Sequence, residues 1–523
     1  MDWLQRIRQL LTTTQGQVAA VAAVVVVLAA GGGLAVLVGG KHPAGGSAQP
    51  NGAYATPSAS ASAEALASAS PGATPSAGAT PGTPTRSGGG GGGTPTGSSG
   101  GAAPQPTDHP ITTSNGFTIT PAHLFSGAAD TQGITAQQIT LCMHAAISLG
   151  AAFNEKASDI NVYWTALNKS GGLLGRQVNM QIFDDAYTAQ GAQQAFSECQ
   201  GINPFFIMGG IGFDQDPVVR SLAEQNAELY LYTMADDGSQ GTGAPKPYKY
   251  SFTGAPTIEQ AGTWLAQATL HYRNKAPFGA VYVKDPNWIG GYNTYSSYMS
   301  SHGAPIASGN TCTMNAGGDV SGFSTCITQL QVNGVKTVYM WMNALAFDSF
   351  VSQASQQGFH PSYVTPDGFD LVTGTVGQDI DDASGYPAAI GGWITPAFDP
   401  NNHEVPWYGE ESKMMAAYAT YDSGHQPDDI DWMAWLGFKQ MTDAFNLCGN
   451  QCTRNDFAGI FDSGWSGQTA PLCSVDFSRN HNFGGQSMNL WYAHRVPYVS
   501  VDYPQASQHT VWVQTQTCQN RFN

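Results

Sequence analysis

Few residues of this chain are charged, and the motifs that mark several common enzyme classes are missing. Asp, Glu, Lys and Arg make up 11% of the 523 residues, with 37 acids against 20 bases. So few bases do not form the positive surface that nucleic acid requires, and no nucleic-acid partner is expected. Residues 116–523 contain no G-x-x-x-x-G-K-[ST], H-E-x-x-H or G-x-S-x-G and no glycine-rich dinucleotide fingerprint. We therefore predict a protein that is not an enzyme and that holds no cofactor or metal.

Cysteine is absent from the first 141 residues, so lipid attachment at an N-terminal cysteine is excluded. No C-x-x-C pair suggests zinc or redox chemistry. An even number of cysteines in the rest of the chain is typical of disulfides in an oxidising, extracytoplasmic compartment, although buried free thiols are the alternative. Spacing suggests Cys312 with Cys326 and Cys448 with Cys452, among about a hundred possible pairings. The disulfide candidates are Cys142, Cys199, Cys312, Cys326, Cys448, Cys452, Cys473 and Cys518.

Residues 18–38 contain no charge and are long enough to cross a ~30 Å hydrocarbon core as a helix. Arg6 and Arg8 precede this segment and only Lys41 follows closely, so the positive-inside rule places the N-terminus in the cytoplasm. We predict a single-pass cell-membrane protein with residues 1–17 as a cytoplasmic stub. A cleaved signal peptide is the competing interpretation, but the apolar run is longer than a typical signal core.

Residues 39–125 are predicted to be a disordered tether. Ala, Gly, Ser, Thr and Pro dominate it, including six consecutive glycines at 88–93, and such a composition cannot bury enough apolar surface to fold. A flexible chain of this length spans on the order of 45–50 Å. Its Ser, Thr and Pro content also permits O-glycosylation, which we state as a hypothesis.

Short β-branched runs alternate with amphipathic stretches from residue 134 onward. Strands are predicted at 139–146, 178–183, 205–208, 229–232, 279–283, 337–341 and 363–365. Helices are predicted at 154–169, 189–199, 217–225, 258–272, 292–301, 323–332 and 347–357. Strict β-α alternation indicates parallel sheets covered by helices, and two such series predict two Rossmann-like lobes. Ligands then bind beyond the carboxyl ends of the strands.

A family resemblance is carried by two short segments, residues 168–178 (NKSGGLLGRQV) and residues 183–185 (FDD). They resemble the N-K-x-G-G-(I/V)-x-G-(R/K)-x-(I/V)…D-D segment of type I solute-binding proteins. The similarity extends over about residues 130–500 and is nearest to the Leu/Ile/Val-binding branch, which serves ABC importers of branched-chain amino acids and amides. It implies a three-segment hinge, with lobe one at 126–253 and 398–465 and lobe two at 254–397 and 466–523.

The same resemblance implies ligand-binding positions in the second lobe. Asp367, in the turn after the strand at 363–365, matches an acid that receives a ligand ammonium in relatives, where a charge-assisted hydrogen bond forms. Trp288 matches an aromatic that covers the ligand. Asn343, after the strand at 337–341, and Trp432, in the second segment of lobe one, are further candidates beyond those that the resemblance implies. An ordinary turn aspartate and core tryptophans are the alternatives.

The first lobe departs from the family pattern. Relatives often place a serine in the loop after the third strand, where this chain has Gly210 and Ile211. They often place small or hydroxyl residues in the loop after the fourth strand, where this chain has Asp236 and Asp237. Glycine amides can hold an oxygen, but Asp236 and Asp237 would repel a ligand carboxylate if they face the cleft. The alternative is that both acids point to solvent. An amide, polyol or cationic solute is therefore favoured over a free amino acid.

Other polar residues have two interpretations each. His144, at the end of the first strand, is predicted to face the ligand or to be a satisfied core histidine. Asp214 and Asp216 are expected to be solvated loop acids, because the spacing of an EF-hand calcium site is missing.

These features together predict a membrane-tethered, extracytoplasmic solute-binding protein. It would capture a small polar ligand between two closing lobes and present it to an ABC permease. A ligand-sensing ectodomain that binds a receptor and a cell-wall hydrolase are the alternatives. Ligand identity and oligomeric state are not encoded in any motif.

Overall fold

The computed structural model describes residues 103–106, 109–149, 156–210, 215–231, 248–272, 277–286, 288–315, 320–342, 344–366, 389–393, 395, 398, 409–495 and 510–520. The predicted membrane segment, residues 18–38, and most of the predicted tether lie outside them. None of the helices in the described ranges is long and apolar enough to cross a membrane.

Strands and helices alternate along most of the described chain. The strands are β1 (Ile111–Thr112), β2 (Thr118–Ile119), β3 (Gln138–Ala145), β4 (Gln177–Asp184), β5 (Ile207–Met208), β6 (Tyr230–Leu231), β7 (Ser251–Phe252), β8 (Phe278–Val283), β9 (Thr311–Met314), β10 (Thr337–Trp341), β11 (Ser362–Thr365), β12 (Ala389–Trp393), β13 (Ser466–Gly467), β14 (Val475–Asp476), β15 (Met488–Arg495) and β16 (Thr510–Gln519). The helices are α1 (Ala157–Ile160), α2 (Val162–Lys169), α3 (Ala189–Gly201), α4 (Asp216–Asn226), α5 (Ile258–Tyr272), α6 (Ile289–Ser301), α7 (Phe323–Val332), α8 (Ala344–Gln356), α9 (Glu410–Tyr421), α10 (Asp429–Cys448) and α11 (Arg454–Asp462). Short 3-10 helices cover Gly127–Thr131, Ile147–Leu149 and Ser308–Asn310.

The first sheet has the strand order β4-β3-β5-β6-β7, and all its pairs are parallel. Parallel neighbours need a crossover, which α2, α3 and α4 supply for three of the connections. Because helices cover both faces, consecutive residues of a strand are buried. Leu141, Cys142 and Met143 of β3 illustrate this, since none of them is exposed.

The second sheet has the order β16-β15-β12-β11-β10-β8-β9. Strands β8 to β12 pair parallel with one another, whereas β15 pairs antiparallel with both β12 and β16. The predicted strands and helices between residues 139 and 365 are all present, with small differences at their ends. The predicted helix at 154–169 is two helices, which meet at Asn161. The α/β fold with parallel sheets is thus confirmed.

Two helices begin at capping boxes near the end of the chain. The Asp428 side chain accepts from the backbone N–H groups of Ile430 and Asp431 at the start of α10, at 3.0 and 3.3 Å. The Thr453 side chain accepts from the Asp456 N–H at 3.2 Å at the start of α11. Such side chains satisfy donors that a helix end leaves unpaired.

All eight cysteines form disulfides. Cys312–Cys326 and Cys448–Cys452 are bonded as their spacing predicts. The other two bonds are long-range, and they join β3 to α3 through Cys142–Cys199 and residue 473 to β16 through Cys473–Cys518. Closing a long loop restricts the unfolded chain more than closing a short one.

Two connections between the sheets run side by side. The Thr253 N–H donates to the Asn482 carbonyl at 2.8 Å, and the Gly485 N–H donates to the Ala255 carbonyl at 3.0 Å. The fully buried Asn482 side chain adds hydrogen bonds to the Tyr248 and Ser251 carbonyls at 3.1 and 2.6 Å. The segment that leaves β7 is therefore bonded to the segment that leads into β15.

The last part of the predicted tether is ordered, which corrects the predicted boundary at residue 125. β1 and β2 pair antiparallel, and the chain then packs on α11. The Asn455 side chain accepts from the N–H groups of Leu124 and Phe125 at 2.6 and 2.9 Å and donates to the Phe125 carbonyl at 2.9 Å. The Arg454 guanidinium lies 3.9 Å from the centroid of the Phe125 ring. Composition did not reveal this boundary, because it does not show that Phe117, Ile119 and Phe125 have partners to pack against. The predicted disorder of the rest of the tether stays a prediction.

We expect Asn455→Ala to lower the free energy of unfolding by about 2–3 kcal/mol, because three hydrogen bonds in a nearly buried site lose their partner. Urea unfolding of the full chain measures this loss. Asn226→Ala is the matched control, because the Asn226 side chain is exposed and bonds only within its own helix. Equal stability of the two variants would contradict a holding role for Asn455.

Candidate functional site

Buried polar side chains collect at the carboxyl edge of the first sheet. His144 lies near the end of β3, Asp185 follows β4, and Asp216 begins α4 after β5. All three are 0% exposed. Because parallel strands end at the same edge, residues far apart in sequence meet here.

A chain of hydrogen bonds links these residues. His144 Nδ1 lies 2.8 Å from Asp185 Oδ2, and His144 Nε2 lies 2.9 Å from the Tyr230 hydroxyl. The Tyr230 hydroxyl donates to Asp216 Oδ1 at 2.9 Å, so its oxygen must accept from the imidazole. Both ring nitrogens therefore carry protons, and His144 is an imidazolium held between two carboxylates.

The electrostatics agree with this geometry. Burial acts to lower the pKa of His144, but the hydrogen bonds and charges of Asp185 and Asp216 raise it from 6.5 to about 9. Burial raises the pKa of Asp216, although its bond to His144 opposes that shift. The expectation that Asp216 is a solvated loop acid was wrong, because the folded chain gives it a buried cation and a hydroxyl as partners. Of its two interpretations, His144 shows that of a core histidine whose ring nitrogens are both bonded to protein groups. Its role in ligand binding stays a prediction.

Two further polar groups lie beside this chain of bonds. The Gln215 side-chain amide and Asp216 Oδ2 are closed to solvent and have no hydrogen-bond partner among the described residues. Gly210 passes over the end of β3, where a Cβ would lie 2.2 Å from the His144 carbonyl oxygen. Glycine is therefore required at this close approach. Ile211 and Asp237 lie outside the described residues, so their roles stay predictions.

The carboxyl edge of the second sheet is aromatic. Trp341 ends β10, and Trp288 is the residue that precedes α6, the helix after β8. Their exposures are 0% and 1%. The Tyr282 ring of β8 stacks on the Tyr292 ring of α6, with centroids 3.7 Å apart. The ligand role of Trp288 stays a prediction.

Of the remaining predicted residues, Trp432 is described, and it is not brought together with these. Trp432 is fully buried on α10, where its ring centroid lies 5.6 Å from that of Phe398 in an apolar cluster with Met414. Asp367 and Asn343 lie outside the described residues. The ligand roles of all three stay predictions.

Sequence reasoning missed several residues of the two edges. Asp185 was noted only as part of a motif, and Tyr230, Glu259 and Trp341 were not singled out. Their positions in the sequence could have indicated them. Each of these residues lies at or just beyond the end of a strand, or in the first turn of a helix that starts at the carboxyl edge of a sheet. Among the described residues, no cluster of three His, Cys, Asp or Glu is placed to hold a metal ion.

A family sequence model described as periplasmic binding protein matches residues 151–491, more than half of the chain. The chain therefore belongs to the type I periplasmic binding proteins, a family of solute-binding proteins and not of enzymes. The predicted family resemblance is confirmed. No curated protein matches the chain in sequence.

Solved structures share the fold at low sequence identity. A fatty acid ABC transporter substrate-binding protein from Thermomonospora curvata has a TM-score of 0.55 and 14% identity, over 77% of this chain and 95% of that one. A leucine-, isoleucine-, valine-, threonine- and alanine-binding protein from Brucella ovis has a TM-score of 0.52 and 13% identity, over 73% and 95%. A solute-binding protein from Rhodopseudomonas palustris BisB5, in complex with 3,4-dihydroxybenzoic acid, has a TM-score of 0.52 and 13% identity, over 73% and 98%.

The raised pKa of His144 predicts a pH-dependent stability. Between pH 6.5 and about 9 the folded chain keeps a proton that the unfolded chain has lost, so the free energy of unfolding falls as pH rises. The contribution is complete below pH 6.5 and is lost above about 9. Its size is on the order of 3 kcal/mol.

We expect the free energy of unfolding, measured in urea, to be higher for the native chain than for His144→Gln at pH 6.5. At pH 9.5 this difference should be smaller. His302→Gln, at an exposed histidine, is the control and should follow the native chain. A variant His144→Gln whose stability keeps the native pH dependence would refute the assignment of a buried imidazolium.

Proposed function

We propose that the chain is a membrane-tethered, extracytoplasmic solute-binding protein whose two lobes close on a small polar solute and present it to an ABC importer. The observation that carries this proposal is the pair of α/β sheets with functional groups at their carboxyl edges, joined by connections that run side by side. A ligand that contacts both lobes favours the closed state, because only that state provides all its contacts.

The paired connections support a hinge. Residues 253–255 and 482–485 are hydrogen-bonded to each other, so a bend in one segment is shared with the other while each sheet moves as a body. We assign lobe one to residues 126–253 and 398–465 and lobe two to residues 254–397 and 466–523. Gly254 and Gly485 lie in these segments, and a Cβ on Gly485 would lie 2.2 Å from the Pro256 nitrogen.

The ordered N-terminal arm supports a tether on lobe one. Arg454, which holds Phe125, also donates to the Phe205 carbonyl at 3.0 Å and pairs with Glu228 at 2.6 Å. Residues 205 and 228 precede β5 and β6, so the arm reaches the first sheet at its amino edge. The candidate site, at the carboxyl edge, is then left open to a partner.

The charges support a ligand other than a simple carboxylate. The similar proteins named above are described with amino acids, a fatty acid or a dihydroxybenzoic acid, which all carry a carboxylate. In this chain Asp184, Asp185 and Asp216 lie at the carboxyl edge of the first sheet, with only the His144 cation among the buried groups described there. A neutral or cationic solute is therefore preferred.

If residues 18–38 anchor the protein, the full chain should sediment with membranes and resist carbonate extraction. A chain that begins at residue 41 should be released, because it lacks the only long uncharged apolar run. Residues 41–523 found in the membrane fraction would contradict the anchor.

Thermal unfolding of the full chain against amino acids, amides, ureas, polyamines and sugars tests solute binding. A solute at 100 times its Kd adds about 2.7 kcal/mol, which raises Tm by a few degrees. We expect a selective shift that is reduced in Asp367→Asn and Trp288→Phe. A uniform absence of shifts over the whole panel would count against the proposed function.

A further inference from the structure

A buried hydrogen-bond donor lies at the carboxyl edge of the second sheet. The Trp341 ring lies against the first turn of α6, where a Cβ on Gly291 would lie 2.5 Å from Cζ2 and 2.6 Å from Cε2. Trp341 is 0% exposed, and its Nε1 has no hydrogen-bond partner among the described residues. Because Nε1 is bonded to Cε2, the N–H group lies beside this turn.

A carboxylate lies beside the same turn. Glu259, in the first turn of α5, places Oε1 2.3 Å from the Cβ position of Gly290. Its Oε2 is closed to solvent and has no partner within the described part of the chain. Gly290 and Gly291 are consecutive, so their Cα atoms are about 3.8 Å apart. An unsatisfied donor and an unsatisfied acceptor therefore flank a single turn.

The position of Trp341 distinguishes it from an ordinary core tryptophan. Trp164 also has an Nε1 without a partner among the described residues, but its ring packs between Tyr163 and Phe438, with centroids 5.0 and 5.1 Å away. Trp341 also packs on an aromatic ring, that of Tyr339, with centroids 5.8 Å apart. It differs from Trp164 in its position, because it ends a parallel strand at the edge where ligands bind in such sheets, and the turn it contacts is also contacted by an acid.

The acid also determines which ligand charge this turn accepts. The amino end of a helix attracts anions through its free N–H groups and its dipole. At the amino end of α6, the chain's own Glu259 carboxylate already lies at Gly290. A ligand carboxylate placed here would meet a like charge in a region of low dielectric constant.

We propose that Glu259 and Trp341 form the lobe-two half of the ligand site and select a solute with a neutral carbonyl oxygen beside an N–H group, as in a carboxamide or a urea. This inference rests on the proposed function and names the solute class for it. The Trp341 N–H donates to the carbonyl oxygen, and the solute N–H donates to Glu259. The turn at Gly290 and Gly291 packs closely on Glu259 and Trp341, so the solute reaches these atoms only when the turn moves away from them.

Isosteric pairs of solutes test the proposal on the full-length chain. Thermal shift and titration calorimetry compare benzamide with benzoate and acetamide with acetate, and urea is added. We expect the amides and urea to bind and the carboxylates to bind at least tenfold more weakly, because a carboxylate lacks the N–H and repels Glu259.

Conservative variants then identify the residues. Trp341→Phe keeps an aromatic ring but removes the N–H, and it should weaken amide binding roughly tenfold. Trp164→Phe is its matched control and should bind amides as the native chain does. Glu259→Gln should reduce the preference for benzamide over benzoate, whereas Glu198→Gln, on α3 of the first lobe, should leave it unchanged.

The outcomes separate this inference from the proposed function. Equal binding of benzamide and benzoate, or amide binding that survives both Trp341→Phe and Glu259→Gln, would overturn the inference. Binding of an unrelated solute without any response to amides or urea would also overturn it and would leave the proposed function standing. A chain that responds to no solute of any class would remove the support for both.

Discussion

In both sheets, the helices described between parallel strands return the chain to the opposite edge, because parallel neighbours cannot be joined by a short turn. The strand ends and the amino ends of the following helices therefore share one edge. That constraint brings His144, Asp185 and Asp216 together in the first sheet and Trp341 and Glu259 together in the second. Because the strands run in the same direction, residues from distant parts of the sequence meet at this edge and can form one binding site.

The two edges differ in chemistry. The edge of the first sheet is ionic, with an imidazolium between two buried carboxylates. Among the polar groups described there, Asp216 Oδ2 and the neighbouring Gln215 side-chain amide have no hydrogen-bond partner. The second is aromatic and holds an indole N–H and a carboxylate oxygen without partners in the described chain. Buried polar groups without partners are costly. A solute that contacts both edges would recover this cost only in the closed arrangement.

Much of the fold could be predicted from the sequence. Parallel strands that are buried on both faces are short apolar runs in the sequence. Helices such as α5 and α7 have apolar residues at helical spacing. The alternation of these two patterns along the chain was enough to predict the strands, the helices and the parallel sheets. Partners could not be predicted in the same way. Asp216 has the sequence context of a loop acid, and only the folded sheet brings it to Tyr230 and His144. The N-terminal arm likewise follows a low-complexity segment, and its order depends on Asn455, which is more than 300 residues away in sequence.

The central claim, that a solute closes two lobes, is tested most directly by a distance between them. All eight cysteines are in disulfides, so cysteines introduced at exposed positions can be labelled selectively. Spin labels at Gln193→Cys on α3 and Val332→Cys on α7 report on the first and second lobes. We expect the distance distribution to change and narrow when a stabilising solute is added. An unchanged distribution at saturating solute would contradict closure.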